Sequence, residues 1–510
     1  MTIHFGTDGW RAVIGEEFTF DNVRLVAQAA AEYILETEPA PDAPVVIGFD
    51  TRFLSDRFAI AAAEVLAGND LRVILSRADC PTPVVSYAVR ASNACAGMMI
   101  TASHNPPRYS GIKLKSPDGA SAPTRATKRV EEKLRAPRHA APRTRAYAEA
   151  LKAGFITRAN FFPLYFKHIQ TLVNLETIGK EQWRVVVDPM HGAGRGYLRS
   201  ILTAAGCEVL EIRGDMNPGF GGIHPEPIEK YLFALMAAVR DHHSDIGLAT
   251  DGDADRIGAV DGAGDFIDPH FIFALTLRYL LQVRNLRGAV VKTISTTQMI
   301  NLLAEKFALP LYETPVGFNH IADLMQDHDV LMGGEESGGI TMRGHVPMGD
   351  GVLMGLLLME MMSHYGRGLR ELVADMRAEL GAFYYARRDL RTQPFSKAAL
   401  VQKLKDNAPA TMAGLNLVSI NDRDGVKYLF DDRASRCRTR CEMGDRGGLR
   451  IADCGLRIRD GESARIKNVR VGSHLFCGFQ TLGKNARARR CAGCVRRVLA
   501  HARADDYVAT

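Results

Sequence analysis

Residues 245–256 read DIGLATDGDADR, an apolar run that ends in three aspartates at alternate positions. The run predicts a buried strand, and residues 228–241 before it have the apolar spacing of an amphipathic helix. The same order of a β-branched run, a turn and a helical segment recurs through the first 360 residues. Regular alternation of strands and helices predicts α/β domains with parallel sheets.

The alternation falls into three similar units, which indicates an internal repeat of roughly 100–120 residues. The strands are predicted at residues 43–50, 71–75 and 96–102 in the first unit, 184–188, 207–212 and 245–250 in the second, and 288–294, 311–314 and 330–333 in the third. The helices are predicted at residues 55–68, 82–91, 228–241, 297–306 and 319–327.

In each unit the third strand continues into a loop rich in polar side chains. The loops are TASHNP at 101–106, DGDADR at 251–256 and GGEESGG at 333–339. Open α/β sheets bind ligands beyond the carboxyl ends of their strands. We therefore expect the three loops to converge on one cleft.

Domain boundaries follow from the repeat and from a Pro- and Arg-rich linker, LRAPRHAAPRTR, at 134–145. We expect three mixed α/β domains around a central cleft and a smaller, disrupted C-terminal α+β domain. The expected segments are domain I at 1–142, domain II at 143–258, domain III at 259–370, a partial domain IV at 371–432 and an aberrant tail at 433–510.

The composition is that of a soluble globular protein, with 46% hydrophobic and 24% charged residues among 510. No apolar run approaches the ~20 residues that span a bilayer. Asp8 and Arg11 lie where a signal peptide needs apolar residues. Cys80, Cys95 and Cys207 are scattered over the first 432 residues, as in a reducing compartment. We expect a cytoplasmic protein with no membrane partner.

Residues 433–510 differ in composition from the rest of the chain. They contain 16 Arg and 2 Lys against 7 Asp and Glu, a net charge of +11; because the whole chain carries +6, residues 1–432 carry −5. Only Phe476, Phe479 and Tyr507 are aromatic there. Binding of single-stranded nucleic acid uses aromatic residues interleaved with basic ones, so no nucleic-acid partner is expected.

Asp251, Asp253 and Asp255 make the second loop a candidate metal site. Dense negative charge on a buried turn is costly unless a cation neutralises it, and several hard oxygen ligands suit Mg²⁺. A solvated acidic turn is the alternative. An EF-hand is excluded because Arg256 and Gly262 stand where its glycine and glutamate belong.

Ser103 ends the third strand of the first unit, with His104 beside it. Because neighbouring side chains point apart on an extended chain, the sequence does not predict a hydrogen bond between them. An ordinary serine before an Asn-Pro turn is the alternative to a catalytic serine. In the third loop, four glycines flank Glu335, Glu336 and Ser337, a pattern that suits either sugar hydroxyls or a flexible solvated loop.

Four motifs then occur in order along the chain: FGTDGWR at 5–11, TASHNPPRYSGIKLK at 101–115, DGDADR at 251–256 and GGEESGG at 333–339. Together they resemble the α-D-phosphohexomutase family over roughly residues 1–430. The resemblance implies four domains around a central cleft, the first three with one mixed α/β topology. It also implies an isomerase that moves a phosphoryl group between two positions of a hexose.

The resemblance implies a role for each matching residue. Ser103 resembles the phosphoserine that gives and recovers the phosphoryl group. The other implied catalytic residues are His104, Lys113 as general acid/base, and Arg11. The implied Mg²⁺ ligands are an oxygen of the Ser103 phosphate together with Asp251, Asp253 and Asp255.

The implied substrate-binding residues are Glu335, Ser337 and Arg256, which match positions around the sugar and the metal loop. The implied cofactors are Mg²⁺ and glucose 1,6-bisphosphate, as activator and intermediate. The partner is a sugar phosphate, and the protein is expected to be a monomer or a dimer.

Two segments bear on the sugar. GEES at 334–337 and TPVGFNHI at 314–321 resemble the glucose-directed branch of the family. This implies interconversion of glucose 1-phosphate and glucose 6-phosphate. Mannose and glucosamine phosphates are the alternatives.

The C-terminal part departs from the family, because no string of the form RPSGTEP, the phosphate-binding loop, occurs in the sequence. We expect residues from about 433 onward to be an out-of-frame translation of a normal fourth domain. Activity would then be impaired, and the strand at 426–430 would be left as an exposed edge. A genuine basic segment is the alternative.

Overall fold

The computed structural model describes residues 3–430 except 7, 38, 41, 137–140, 382, 386, 392–395, 413 and 414, and beyond residue 430 four short strands. The chain folds as two compact units. The first contains residues 1–296 and 300–374, and the second contains residues 297–299 and 375–510.

The first sheet of the first unit has six strands in the order β1-β5-β4-β2-β3-β6. Its strands are β1 (Trp10–Val13), β2 (Val45–Phe49), β3 (Val73–Ser76), β4 (Ala96–Ile100), β5 (Tyr109–Lys115) and β6 (Ile156–Ala159). Its helices are α1 (Phe20–Glu36), α2 (Ser55–Gly68), α3 (Thr82–Ala91), α4 (Thr124–Arg135) and α5 (Tyr147–Lys152).

The second sheet has five strands in the order β11-β10-β9-β7-β8. The helices along this stretch of chain are α6 (Phe162–Leu172), α7 (Leu175–Ile178), α8 (Tyr197–Ala204) and α9 (Phe233–Asp241). The strands are β7 (Arg184–Asp188), β8 (Glu208–Glu211), β9 (Ile246–Thr250), β10 (Ile257–Asp261) and β11 (Phe266–Ile267).

The third sheet has four strands in the order β13-β12-β14-β15. The strands are β12 (Ala289–Thr293), β13 (Leu311–Thr314), β14 (Val330–Gly334) and β15 (Ile340–Met342). The helices are α10 (Pro269–Gln282), α11 (Met299–Lys306), α12 (Phe318–Asp327), α13 (Gly351–Tyr365) and α14 (Leu369–Leu380).

The three sheets share one arrangement. A central strand (β2, β7 or β12) has a parallel neighbour on each side, and the third parallel strand is followed by an antiparallel one, in the pairs β4/β5, β9/β10 and β14/β15. The internal repeat and the mixed α/β fold expected from the sequence are therefore confirmed. The expected parallel pairing is found among the central strands of each sheet, and antiparallel strands extend each one.

The sequence pattern explains the burial of the central strands. VVIGF of β2 and IGLAT of β9 are buried at every position. Strands covered by helices on both faces are apolar throughout rather than alternating. Side-chain caps fix where some helices begin. The Asp350 carboxylate accepts a hydrogen bond from the Leu353 N–H at 2.9 Å and caps the start of α13.

The second unit contains a six-stranded sheet in the order β16-β21-β20-β19-β18-β17, the helix α15 (Lys397–Asp406) and a separate strand pair. The strands of the sheet are β16 (Arg387–Arg391), β17 (Thr411–Met412), β18 (Leu415–Asn421), β19 (Val426–Phe430), β20 (Arg440–Met443) and β21 (Gly448–Ala452). The separate pair is β22 (Ala464–Arg465) with β23 (Gln480–Thr481).

The expectation of an unpaired edge at residues 426–430 is wrong for the first two residues of β19, because Val426 and Lys427 pair with Cys441 and Arg440 of β20. Backbone pairing requires N–H and C=O groups and not a particular side-chain pattern, so a segment without strand periodicity can still pair. Apart from β20 to β23, the tail expected to be aberrant lies outside the described residues.

In the part of the chain that is described, no helix is both long and apolar enough to cross a bilayer.

Candidate active site

Ser103 lies in the loop between β4 and β5, and its side chain is buried. Its φ is 51°, a left-handed conformation that is uncommon for a residue other than glycine. The Ser103 N–H donates to Thr101 Oγ1 at 2.9 Å. The backbone therefore turns sharply at the residue for which the sequence predicts catalysis.

This turn overturns one sequence argument. Ser103 Oγ lies 3.3 Å from His104 Nδ1, within hydrogen-bonding distance. The two side chains were expected to point apart, as on an extended strand. The left-handed φ of Ser103 breaks that alternation and brings both groups to one side.

The loop between β9 and β10 brings the three aspartates of the second motif together. Asp251, Asp253 and Asp255 are buried and have carboxylate oxygens within 4.8 Å of one another. The Ser103 hydroxyl donates to Asp251 Oδ2 at 2.9 Å, so the first and second loops meet. Burial and the two neighbouring carboxylates raise the pKa of Asp251 well above its ordinary value.

The donor set of this acidic cluster fits Mg²⁺. Carboxylate oxygens are the ligands that this ion prefers. Asp253 Oδ2 accepts a hydrogen bond from Thr82 Oγ1 at 2.6 Å, whereas the buried Asp253 Oδ1 has no hydrogen-bond partner among the described residues. A buried carboxylate oxygen with no partner is costly, and a cation would satisfy it.

Lys113 supplies the positive charge of the site. Its buried ammonium lies 2.7 Å from Asp8 Oδ2, 2.8 Å from Asp253 Oδ2 and 2.8 Å from Asp255 Oδ2. Burial alone would lower the pKa of Lys113, but the three carboxylates outweigh it and raise that pKa well above the ordinary value. The three carboxylates therefore favour the charged form of Lys113.

Arg11 reaches the site from β1, which pairs with β5 at Arg11 and Gly111. Its guanidinium donates to Asn105 Oδ1 from Nη1 and to Asp8 Oδ2 from Nη2, both at 3.0 Å. Asp8 thus joins Arg11 to Lys113. Sequence reasoning missed Asp8, although the residue lies in the FGTDGWR motif.

The third loop lies beside the second. The Ile257 N–H donates to the Gly338 carbonyl at 3.2 Å. Gly338 has a φ of +91°, and a Cβ there would lie 2.5 Å from the Ile257 carbonyl oxygen, so only glycine fits. This close approach brings GGEESGG beside the end of DGDADR.

Glu335 and Ser337 contact each other in this third loop. Glu335 Oε1 accepts the Gly317 N–H at 3.0 Å, and Ser337 Oγ donates to Glu335 Oε2 at 3.4 Å. Burial raises the pKa of Glu335, and the charge of Arg256 opposes that rise. Arg256 itself lies 3.7 Å from Glu226 Oε1 and 3.9 Å from Asp255 Oδ1.

The residues predicted from the sequence therefore fall into two contacting groups, one around Ser103, Lys113 and the aspartates and one around Glu335. Sequence reasoning missed Thr82, which binds Asp253, and the Asp50–Arg52 pair beneath the serine loop. Thr82 begins α3, and nothing in its local sequence distinguishes it from an ordinary helix start.

Three domain families match the chain. They are phosphoglucomutase/phosphomannomutase alpha/beta/alpha domain I over residues 2–140, domain II over 163–264 and domain III over 268–379.

Among curated relatives, a phosphoglucomutase/phosphomannomutase of Thermococcus kodakarensis is 31% identical, over 84% of this chain and 90% of its own. A phosphoglucomutase of Komagataeibacter xylinus is 29% identical, over 83% of this chain and 84% of its own. A phosphoglucosamine mutase of Frankia alni is 32% identical, over 74% of this chain and 82% of its own.

Solved structures show the same fold. A Thermus thermophilus protein named as a phosphomannomutase aligns with a TM-score of 0.76 and 32% identity, covering 89% of this chain and 95% of its own. The N-acetylphosphoglucosamine mutase of Aspergillus fumigatus, 14% identical, aligns over 98% of this chain and 96% of its own. Its TM-scores are 0.54 for the complex with GlcNAc-6P and magnesium and 0.55 for a serine-to-alanine variant in complex with glucose 1,6-bisphosphate.

The repeated fold and these matches define an enzyme of the isomerase class that transfers a phosphoryl group within a sugar phosphate. The relatives differ in the sugar they are named for, and agree in this reaction. The chain belongs to the α-D-phosphohexomutase family.

Proposed function

We propose that this phosphohexomutase interconverts glucose 1-phosphate and glucose 6-phosphate. The support is the resemblance of GEES and TPVGFNHI to the glucose-directed branch and the Komagataeibacter xylinus relative named phosphoglucomutase. Glu335 and Ser337 would hold the sugar hydroxyls, and Arg256 would contact the bound substrate.

The observation that carries the mechanism is the 2.9 Å hydrogen bond from Ser103 to Asp251 inside the acidic cluster. Ser103 is proposed as the carrier of the phosphoryl group. Its Oγ–P bond breaks as a bond forms between phosphorus and the free hydroxyl oxygen of the sugar, which gives glucose 1,6-bisphosphate. Return of the other phosphoryl group to Ser103 completes the isomerisation.

Protons balance through Lys113. Its ammonium donates a proton to the departing Ser103 Oγ, and the amine formed in this way takes up the proton that the sugar hydroxyl loses. Arg11 and His104 would hold the charged phosphoryl oxygens during the transfer. Asp8, between Arg11 and Lys113, keeps both cations at the site.

Asp251, Asp253, Asp255 and an oxygen of the Ser103 phosphate would hold Mg²⁺. When bound, the ion would neutralise charge on the phosphoryl group. The proposed enzyme is a cytoplasmic phosphoprotein, in keeping with three unpaired cysteines, Cys80, Cys95 and Cys207, among the described residues.

A coupled assay on the 1-phosphates of glucose, mannose and glucosamine tests the sugar. We expect the highest kcat/KM with glucose 1-phosphate. A higher value with mannose or glucosamine 1-phosphate would assign the enzyme to the corresponding activity, which the names of the Thermococcus kodakarensis and Frankia alni relatives make the second candidates.

Ser103→Ala tests the carrier. We expect loss of turnover and loss of the phosphate mass in intact mass spectrometry, with Ser116→Ala as the matched serine control. Removal of divalent cations by a chelator should also abolish turnover, and added Mg²⁺ should restore it. Undiminished turnover in the Ser103 variant would exclude the carrier role; full activity in chelator would exclude the metal role.

A further inference from the structure

A buried ion pair lies directly beneath the serine loop. Asp50 and Arg52 follow β2, both side chains are fully buried, and Arg52 Nε lies 3.0 Å from Asp50 Oδ2. Phe220 covers the guanidinium, with its ring centroid 4.9 Å from Arg52 Cζ. Burying two charges is costly unless the remaining donors and acceptors are satisfied.

Every donor of the Arg52 guanidinium is used: three of its five hydrogen bonds go to the loop between β4 and β5, one goes to the first residue of β5, and one goes to Asp50. Nη2 donates to the carbonyls of Ser103 at 2.5 Å and Asn105 at 2.7 Å. Nη1 donates to the carbonyls of Pro106 and Tyr109, both at 2.9 Å. One planar group therefore fixes the backbone from the serine to the start of β5.

Asp50 reaches the same loop from the other side. Its Oδ2 accepts a hydrogen bond from Thr101 Oγ1 at 2.7 Å, and Thr101 Oγ1 accepts the Ser103 N–H at 2.9 Å. Its Oδ1 accepts from Ser55 Oγ at 2.8 Å and from the Arg52 N–H at 3.0 Å. Both the N–H and the C=O of Ser103 are thus linked to the pair.

We propose that Arg52, held by Asp50, is a positioning residue that presets the left-handed backbone of Ser103 for phosphoryl transfer. The inference rests on the proposed role of Ser103 as phosphate carrier. An uncommon φ persists only where the surrounding structure determines it, and here the determining contacts converge on Arg52. The φ of Ser103 places its hydroxyl against Asp251, so a displaced loop would misalign the phosphoryl group with the acidic cluster.

Arg52→Lys tests the proposal because lysine keeps the charge but has three donors and cannot reach four carbonyls in one plane. We expect kcat to fall by about 100-fold, the effect of a misplacement of about 1 Å, with KM within about twofold. Thr101→Val, which has nearly the same shape, breaks the link from Asp50 to the Ser103 N–H. It should lower kcat in the same way, and it tests the proposal even if Arg52→Lys fails to fold.

Arg284→Lys is the matched control. Arg284 is also paired with a buried carboxylate, Glu360, and also donates to a backbone carbonyl, that of Leu172. The Arg284→Lys variant should lose about as much stability as Arg52→Lys but keep kcat within about twofold of the wild type. If Arg52→Lys and Thr101→Val keep kcat within about threefold, or lose it only in proportion to the unfolded fraction, the positioning role is excluded.

A separate measurement distinguishes failure of this inference from failure of the proposed function. Intact mass and peptide mapping of the wild-type enzyme after incubation with glucose 1,6-bisphosphate show which residue carries phosphate. Phosphate on a residue other than Ser103 would overturn the proposed function and this inference with it. Phosphate on Ser103 combined with normal turnover of both variants would overturn the positioning role alone.

Discussion

Two lysines two residues apart on β5 have opposite electrostatic surroundings. The Lys113 ammonium contacts three carboxylates, whereas the Lys115 ammonium contacts only the thioether of Met348, at 3.2 Å, among the described residues. Both side chains are buried. Sequence alone predicts two similar basic residues, because the difference comes from Asp8 and the second loop, which are distant along the chain.

Burial and the charge of Lys113 lower the pKa of Lys115 to about 8. For a base whose pKa is lower in the folded state, stability is lost as pH falls from about 10.5 to about 8, and the full loss is present below that range. The difference between these two pKa values corresponds to a loss of about 3 kcal/mol in the free energy of unfolding. We therefore expect Lys115→Met to be more stable than the wild type at neutral pH, with the gain shrinking above about pH 8.

Urea unfolding of both proteins at neutral pH and at about pH 10 checks this prediction. Lys128→Met is the control, because Lys128 is an exposed residue of α4 and its replacement removes a positive charge that is not buried. A Lys115 variant that is less stable than the wild type at neutral pH would contradict the prediction.

At the scale of elements, the repeat was largely predictable. The helix at 55–68 and the strand at 184–188 have the predicted bounds, because their apolar spacing is regular. The helix predicted at 228–241 instead begins at Phe233, after a separate 3-10 turn over Glu229–Tyr231. Leu232, with φ of −100° and ψ of 14°, lies outside helical geometry and separates the two, which apolar spacing does not reveal.

The site was predictable as a set of motifs but not as a set of contacts. Spacing identified the three loops, since each follows a strand. It did not identify the bond from Arg52 to Ser103 or the bond from Thr82 to Asp253, because these partners lie 51 and 171 positions apart along the chain. Hydrogen bonds between side chains and distant carbonyls leave no periodic pattern in the sequence.

The approach of the serine and metal loops yields a prediction at this scale. A Cβ on Gly252 would lie 2.4 Å from the Ser103 carbonyl oxygen, the same atom that Arg52 binds. Gly252→Ala must therefore separate the two loops. We expect kcat/KM to fall by about 10- to 100-fold, because small displacements of reacting groups are costly.

Steady-state kinetics and thermal unfolding of Gly252→Ala measure this effect. Gly368→Ala is the control, since the nearest atom to its Cβ would be a side-chain oxygen of Glu371 at 3.8 Å. We expect normal kinetics for the control. Normal kinetics for both variants would show that the two loops tolerate separation.

At the scale of the whole molecule, the sequence after residue 432 argues for a shifted reading frame. The net charge changes from −5 before residue 433 to +11 after it, and no RPSGTEP string follows the strand Val426–Phe430. We predict that the DNA of this segment encodes a loop of the form RPSGTEP in another reading frame. Sequencing it, and comparing the chain with a frame-corrected version, checks this.

The frame-corrected chain should have a kcat/KM higher by orders of magnitude. Its RPSGTEP loop would bind the phosphate group of the substrate that does not react, and each charge-assisted hydrogen bond to that phosphate contributes about 1.5–3 kcal/mol. DNA in which no frame encodes such a loop would favour a genuine basic segment instead. Equal kinetics for the two chains would show that this loop is dispensable.

A buried histidine pair connects the three repeated domains. Nε2 of His168, in α6, lies 3.0 Å from Nδ1 of His345. The His168 ring stacks on the ring of Tyr87 in α3, with 4.0 Å between the two centroids. His345 Nε2 lies 3.0 Å from Asp350 Oδ2, at the start of α13. Arg90 of α3 donates to the His345 carbonyl at 3.1 Å. The His168 imidazole, in α6, therefore contacts Tyr87 of α3 and His345, which follows β15.

Burial, His345 and Arg90 lower the pKa of His168 to about 4, although Asp350 opposes them. An unfolded histidine binds its proton near pH 6.5, so the unfolded chain gains protons first and stability is lost as pH falls from about 6.5 to about 4. The loss should be about 2 kcal/mol, since water partly reaches the ring. His168→Gln, which keeps a polar group beside His345, should remove that part of the pH dependence. Urea unfolding at about pH 5 and about pH 7.5 checks this prediction. The free energy of unfolding should differ less between the two pH values for the variant than for the wild type. Equal differences for the two proteins would mean that another group is responsible.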